Sequence, residues 1–166
     1  MKKIYLDLGC GSRKRAGHIG IDKAALECVD IVCDVEKGIP LKDNCVTGVY
    51  SNYFLEHVSD LIFVFQEIYR VCCNGATVEF VVPYYMSINA FKDPTHKQFF
   101  TEETFQYFSK SMWYGSDYKI KTNFEVIKIK YHYSKIALLF YPFRKYLRRH
   151  FFNMAGAMTV TLKVIK

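Results

Sequence analysis

The chain has 166 residues, 51% of them apolar and 23% charged, which is the balance of one globular domain with room for a core and excludes a disulfide-stapled miniprotein or a disordered tail. Its net charge of +7 is uneven: residues 1–83 hold 9 Lys and Arg against 11 Asp and Glu, and residues 84–166 hold 14 against 5. No apolar run approaches the roughly 18 residues of a membrane span, and Met1-Lys2-Lys3 leads straight into a short run that ends in glycines, so no secretory signal is expected.

In chain order, Ile4–Leu8 is a short apolar run closed by Gly9-Cys10-Gly11-Ser12, the pattern of a buried strand entering a glycine turn. Ile19–Asp22, Asp30–Asp34 and Val46–Ser51 read as three further strands. Asp60 to Cys73 carries apolar residues at Leu61, Val64, Phe65, Ile68 and Val71, the spacing of an amphipathic helix capped by Ser59 or Asp60 and stopped by Asn74-Gly75. Ala76–Val82 is a β-branched strand closed by Pro83, and strand, helix, strand in this order implies a parallel crossover. Tyr84 to Lys97 reads as a loop, Thr101–Thr104 as a cap for a short helix Phe105 to Ser109, and Trp113–Lys121 as a polar, aromatic connection. Phe124–Tyr133 alternates with period two, Ser134 to Phe152 leans to helix around Pro142, and Met158–Ile165 alternates again as the final strand. With no repeat, linker or low-complexity segment, residues 1–166 form a single domain.

The six cysteines, Cys10, Cys28, Cys33, Cys45, Cys72 and Cys73, contain no C-x-x-C pair and no histidines at ligand spacing. They read as buried reduced thiols of a cytoplasmic protein, with no metal site expected.

An α/β sheet binds its ligand beyond the carboxyl ends of its strands, and the glycine turn after the first strand lets a ligand approach the backbone. Asp22, ending the second strand, can take a ribose diol with both oxygens, and Asp34, ending the third, can accept from an adenine amine. Arg13 and Lys14 stand where a dinucleotide fingerprint continues, and only about ten residues separate Gly11 from Asp22. That is too short for the helix that meets a pyrophosphate, so an adenosine ligand without phosphate suits the site better than NAD.

Leu6-Asp7-Leu8-Gly9-Cys10-Gly11, Gly20-Ile21-Asp22, Cys33-Asp34-Val35 and Val49–Val58 with its Glu56-His57 resemble the successive motifs of class I S-adenosylmethionine-dependent methyltransferases. The segment Asp93–Thr101, Asp-Pro-Thr-His-x-x-Phe-Phe-Thr, resembles that of the small type-11 kind. The resemblance covers roughly residues 3–109; residues 124–166 match only in their strand-helix-strand pattern. It implies a Rossmann-like α/β methyltransferase fold, its central sheet mostly parallel with an antiparallel C-terminal strand and a shortened first helix. It also implies S-adenosylmethionine as cofactor. Asp7, Gly9 and Gly11 would hold its methionine end, Asp22 the ribose, Asp34 with Val35 the adenine, and Ser51 and Asn52 would lie by the sulfonium.

Methyl transfer needs an acceptor held in line and, for oxygen or nitrogen acceptors, often a base. His57 and His96 are the catalytic candidates. His57 reads equally as a packing or capping residue. His96 lies beside Asp93, with Tyr84 and Tyr85 nearby as substrate contacts; the alternative is that Asp93–His96 is a self-bonded turn. The expected acceptor is a small molecule, and a phosphorylated or saccharide-linked one suits the basic half. An RNA methyltransferase and a non-catalytic S-adenosylmethionine-binding partner subunit are the rivals. The basic, aromatic stretch 135–152 reads three ways: a solvated helix face, a contact with an anionic membrane surface, or a grip on nucleic acid.

Overall fold

In the computed structural model, residues 3–110 and 120–166 are described; of the connection Trp113–Lys121 only the last two residues fall among them. The strands are β1 (Tyr5–Leu8), β2 (Ile19–Asp22), β3 (Ile31–Val32), β4 (Val46–Asn52), β5 (Cys72–Pro83), β6 (Phe124–Tyr133) and β7 (Ala155–Val164). They form one sheet in the order β3-β2-β1-β4-β5-β7-β6, parallel except for β7, which runs antiparallel to both neighbours. The helices are α1 (Leu61–Val71), α2 (Ile88–Phe91), α3 (Lys135–Leu139) and α4 (Arg144–His150).

Helix α1 forms where its periodicity places it. The Asp60 carboxylate accepts from the Phe63 amide at 2.9 Å, and the helix buries Val64, Phe65, Ile68 and Val71 against the sheet. Phe65 stacks on Phe108 with centroids 3.7 Å apart and meets Phe80 and Phe124, so this ring joins helix, sheet and the segment after Phe100. Burying such a side chain contributes about 1.5–3 kcal/mol.

The core lies on one face of the sheet. Along β5, Val78, Phe80 and Val82 are buried while Thr77, Glu79 and Val81 are not; β7 repeats the alternation, with Val160 and Leu162 buried and Thr161 and Lys163 outward. The row Asp7–Tyr50–Glu79–Thr161–Lys128 crosses the outward face. Arg15 lies over it: its amide donates to Asp7 at 2.7 Å, its guanidinium to Glu79 at 3.0 Å, and its charge sits 4.2 Å from the Tyr50 ring centroid.

Several sequence expectations shift. The connection between β1 and β2, expected to hold a shortened helix, is reduced to turns. α1 ends at Val71 because Cys72 is already paired with Val46 in the sheet. β3 shrinks to two residues, and the Phe105–Ser109 helix to a 3-10 turn at Gln106–Phe108. Helix α2 breaks the expected loop because the Asn153 side chain, distant in sequence, accepts from the Ile88 amide at 2.6 Å. β7 begins at Ala155, paired with Tyr133, three residues before the expected start.

Residues 135–152 form α3, a 3-10 turn through Pro142, and α4. Only Ala137 and Arg148 of this stretch are buried. Leu139 is 80% and Phe143 63% exposed, and Ile136, Leu138, Phe140, Tyr141 and Tyr146 also face outward. Among the described residues no helix is long and apolar enough to cross a membrane.

Candidate functional site

The carboxyl ends of β1 and β2 meet at a tight turn. Gly9, at φ +65°, donates to the Ile21 carbonyl at 2.8 Å, a backbone conformation that glycine adopts without strain. The Asp22 carboxylate accepts from the Gly11 amide at 2.8 Å through one oxygen and from the Ala24 amide at 2.9 Å through the other. Asp34 accepts from the Glu36 amide at 3.1 Å and so caps the 3-10 turn Val35–Lys37. Gly9, Asp22, Asp34, Val35, Tyr53 and His57 are among the walls of a cavity of about 620 Å³.

Phe54 bounds that cavity on the β1 side. Its ring lies so close on Gly9 that a Cβ there would fall 2.2 Å from the ring. Asp7, Gly11, Ser51 and Asn52 are not among the cavity walls. Asp7 is buried beside them, and burial pushes its carboxyl above the ordinary value against the pull of the Arg15 amide and the His18 charge. Ser51 is also buried, its hydroxyl without a hydrogen-bond partner.

A second cavity, about 320 Å³, shares Tyr53 and His57 with the first and is also lined by Glu56, Asp93 and His96. Tyr53 holds φ +51°, a left-handed conformation uncommon for a side chain of its bulk. Glu56 sits on the 3-10 turn Leu55–His57, fully buried, with neither carboxylate oxygen hydrogen-bonded. Burial pushes its carboxyl up to about 7, against the pull of His96. The same burial, reinforced by His96, lowers His57. The two imidazoles lie 4.8 Å apart, edge to face. His96 Nδ1 meets the Ala90 carbonyl at 2.9 Å, and His57 Nδ1 meets the Thr95 hydroxyl at 2.9 Å.

The fold thus brings Gly9, Asp22, Asp34, Val35 and His57 to one cavity and His57, Asp93 and His96 to its neighbour. The self-bonded turn is present too, since Asp93 accepts from both the Thr95 amide and hydroxyl, yet His96 still lines the second cavity. Tyr84 and Tyr85 line neither cavity: Tyr84 is fully buried, its hydroxyl accepting from Arg148. The sequence offers Glu56 only as part of a motif and Thr95 only as part of a self-bonded turn, and it does not single out Tyr53 and Phe54. An acidic residue in the otherwise apolar Tyr53-Phe54-Leu55 context was the available signal.

Residues 6–80 match a family model described as a methyltransferase domain. A search of curated proteins finds no match. Among solved structures, the chain is similar to an S-adenosylmethionine-dependent methyltransferase from Archaeoglobus fulgidus, at 19% identity and TM-score 0.70 over 97% of this chain and 86% of that one. It is similar also to an S-adenosylmethionine-dependent methyltransferase from Thermotoga maritima, at 14% identity and TM-score 0.64 over 100% and 83%. A third likeness, at 14% identity and TM-score 0.61 over 98% and 82%, is to the Haloferax volcanii complex between the Trm112 methyltransferase activator and a methyltransferase. At these identities the likeness establishes a shared fold.

Proposed function

We propose that this chain, of which residues 6–80 match a methyltransferase-domain model and whose fold is shared with S-adenosylmethionine-dependent methyltransferases, uses S-adenosylmethionine to transfer a methyl group to an oxygen or nitrogen of a small acceptor. The single observation that carries this reading is the junction of two cavities through Tyr53 and His57, one bearing strand-end carboxylates and the other Glu56 and His96.

The larger cavity, about 620 Å³, lies within the ~300–1,000 Å³ range of ligand pockets. Its polar groups fit the adenosine half of the cofactor: Asp22 to accept from the ribose hydroxyls, Asp34 to accept from the adenine amine beside the Val35 backbone. The orphaned Ser51 hydroxyl, with Asp7, Gly11 and Asn52, suits the methionine end, which is reached when the Phe54 ring swings off Gly9. When bound, S-adenosylmethionine supplies a methyl activated by its sulfonium. The chain holds the acceptor in line beside His57 and His96, excludes water with Tyr53 and Phe54, and offers a neutral imidazole to receive a proton. The basic C-terminal half favours an anionic acceptor, phosphorylated or saccharide-linked.

Thermal unfolding with S-adenosylmethionine, S-adenosylhomocysteine and NAD in parallel tests the reading. At about 100 times the dissociation constant, each of the first two is expected to add roughly 2.7 kcal/mol, a rise of about 5–10 °C, and NAD none. No shift with either would leave a methyltransferase fold without its cofactor and overturn the proposal.

The outward side chains of α3, α4 and the 3-10 turn between them favour a location as well as a reaction. Leu139, Phe140 and Phe143 stand exposed beside Lys135, Lys145 and Arg149, a combination that suits the surface of an anionic membrane, where each basic group near the headgroups contributes about 1 kcal/mol. Cosedimentation with phosphatidylglycerol vesicles is expected at low salt, to weaken as salt rises, and to be lost in L139E/F143E. Absence of binding at low salt, or equal binding by the double variant, sinks this placement; salt-steep RNA binding lost with the same basic residues replaces it.

A further inference from the structure

We propose that Glu56, His57 and His96 form a binding site for a first-row divalent metal ion of the zinc class, at the end of the cofactor cavity where the acceptor enters. One ligand atom from each residue lies within 4.8 Å of those of the other two. Bonds of 2.0–2.1 Å set ligand atoms about 3.0–3.4 Å apart, so modest side-chain rotation closes the triangle on an ion.

Two features of the site point the same way. Glu56 is fully buried, and both of its carboxylate oxygens lack a hydrogen-bond partner. Unpaired polar groups at such depth are costly, and a cation is the partner that a carboxylate there lacks. The histidines, in turn, are held by their far nitrogens. The Ala90 carbonyl can only accept, so His96 Nδ1 carries a hydrogen toward it and Nε2 keeps a lone pair. The Thr95 hydroxyl gives its one hydrogen to Asp93 at 2.7 Å and therefore faces His57 Nδ1 as an acceptor, which again leaves Nε2 with the lone pair. Imidazoles that ligate a metal through one nitrogen while the other donates to a carbonyl, or to a group backed by a carboxylate, are the recurring support of such sites.

The backbone holds the two contributing segments together. Lys97 and Gln98 both donate from their amides to the Glu56 carbonyl, at 2.7 and 3.1 Å, which fixes the His96 segment against the turn Leu55–His57. Two imidazoles and one carboxylate suit zinc, iron, cobalt or nickel, and disfavour magnesium, which prefers oxygen ligands throughout. Three protein ligands leave positions open toward the 320 Å³ cavity, where an acceptor hydroxyl or carboxylate oxygen fits. That acceptor role rests on the methyl-transfer reading above, and with both Nε2 lone pairs on the ion it is the ion's Lewis acidity, in place of an imidazole base, that would ease proton loss from the acceptor to solvent; binding of the ion does not rest on that reading.

The test is calorimetric titration of chelator-treated protein with Zn²⁺ and, separately, Mg²⁺, in the absence of S-adenosylmethionine, so that failure of the cofactor reading leaves it intact. One equivalent of Zn²⁺ is expected to bind, and Mg²⁺ not. E56Q and H96Q are each expected to weaken Zn²⁺ at least 30-fold, and Thr95→Val, which removes the support of His57 and the hydroxyl bond to Asp93 while keeping the Thr95 amide bond to Asp93, about tenfold. The Co²⁺-loaded wild type is expected to lack thiolate charge-transfer absorption, a readout that needs no variant to fold. No Zn²⁺ uptake, uptake unchanged in E56Q and H96Q, or a thiolate band from the cysteines would each overturn the assignment.

Discussion

Arg148→Met is expected to lower the unfolding free energy by about 2–4 kcal/mol, measured by urea denaturation, because it leaves the half-buried Glu102 carboxylate and the buried Tyr84 hydroxyl without their guanidinium partner. Arg148 is 5% exposed; it donates to the Tyr84 hydroxyl at 2.7 Å and to Glu102, and its guanidinium lies 3.7 Å from the Tyr131 ring centroid. Burial, the largest single influence, raises the Glu102 carboxyl, but the hydrogen bonds from Arg148, the backbone and Tyr131 together with the Arg148 charge outweigh it and hold the group below its ordinary value. The sign follows: the contribution of this pair is present above the unfolded carboxyl's pKa and is lost as pH falls through the depressed one. The variant's acid-side slope should therefore flatten. R148M/E102Q should recover part of the loss, since removing both charges leaves none unpaired. A loss below about 1 kcal/mol in the single variant would show that the pair does not anchor α4.

Asp22→Ala is expected to weaken S-adenosylhomocysteine by about 1.5–3 kcal/mol, roughly 10–150-fold in dissociation constant by titration calorimetry, through loss of charge-assisted hydrogen bonds to the ribose. The same carboxylate braces the Gly11 and Ala24 amides, so the apo variant should also unfold at a lower temperature. Asp30→Asn is the control. Asp30 pairs with Lys14 at 2.7 Å and holds the Gly20 amide, but it is not a wall of the cavity, so affinity should change little. Unchanged affinity in a folded D22A protein would refute the ribose assignment.

The elements legible in the sequence are those whose causes are local. β1, β2, β4 and α1 announce themselves through runs, periodicity and the Asp60 cap. α2 and the early end of α1 do not, because Asn153 and the Cys72–Val46 pairing act from far along the chain. The site divides likewise. Asp22 and Asp34 stand at strand ends that a reader can locate, and both reach the cavity. What distinguishes Glu56 from any acidic residue before a histidine is its lack of a partner, which exists only once residues 93–98 have folded over it.

A sheet with its core on one side makes mutational tolerance a matter of parity. At Thr77, Glu79, Thr159, Thr161 and Lys163 a lineage can drift in size and charge with little loss; at Val78, Phe80, Val160 and Leu162, one step along the same strands, it cannot. The outward positions along the middle of β5 and β7 are therefore free to be rewritten by selection for other traits, such as solubility or a new contact, while the strand ends that carry the cavities stay where they are. A domain of this kind can change its exterior quickly and its chemistry slowly.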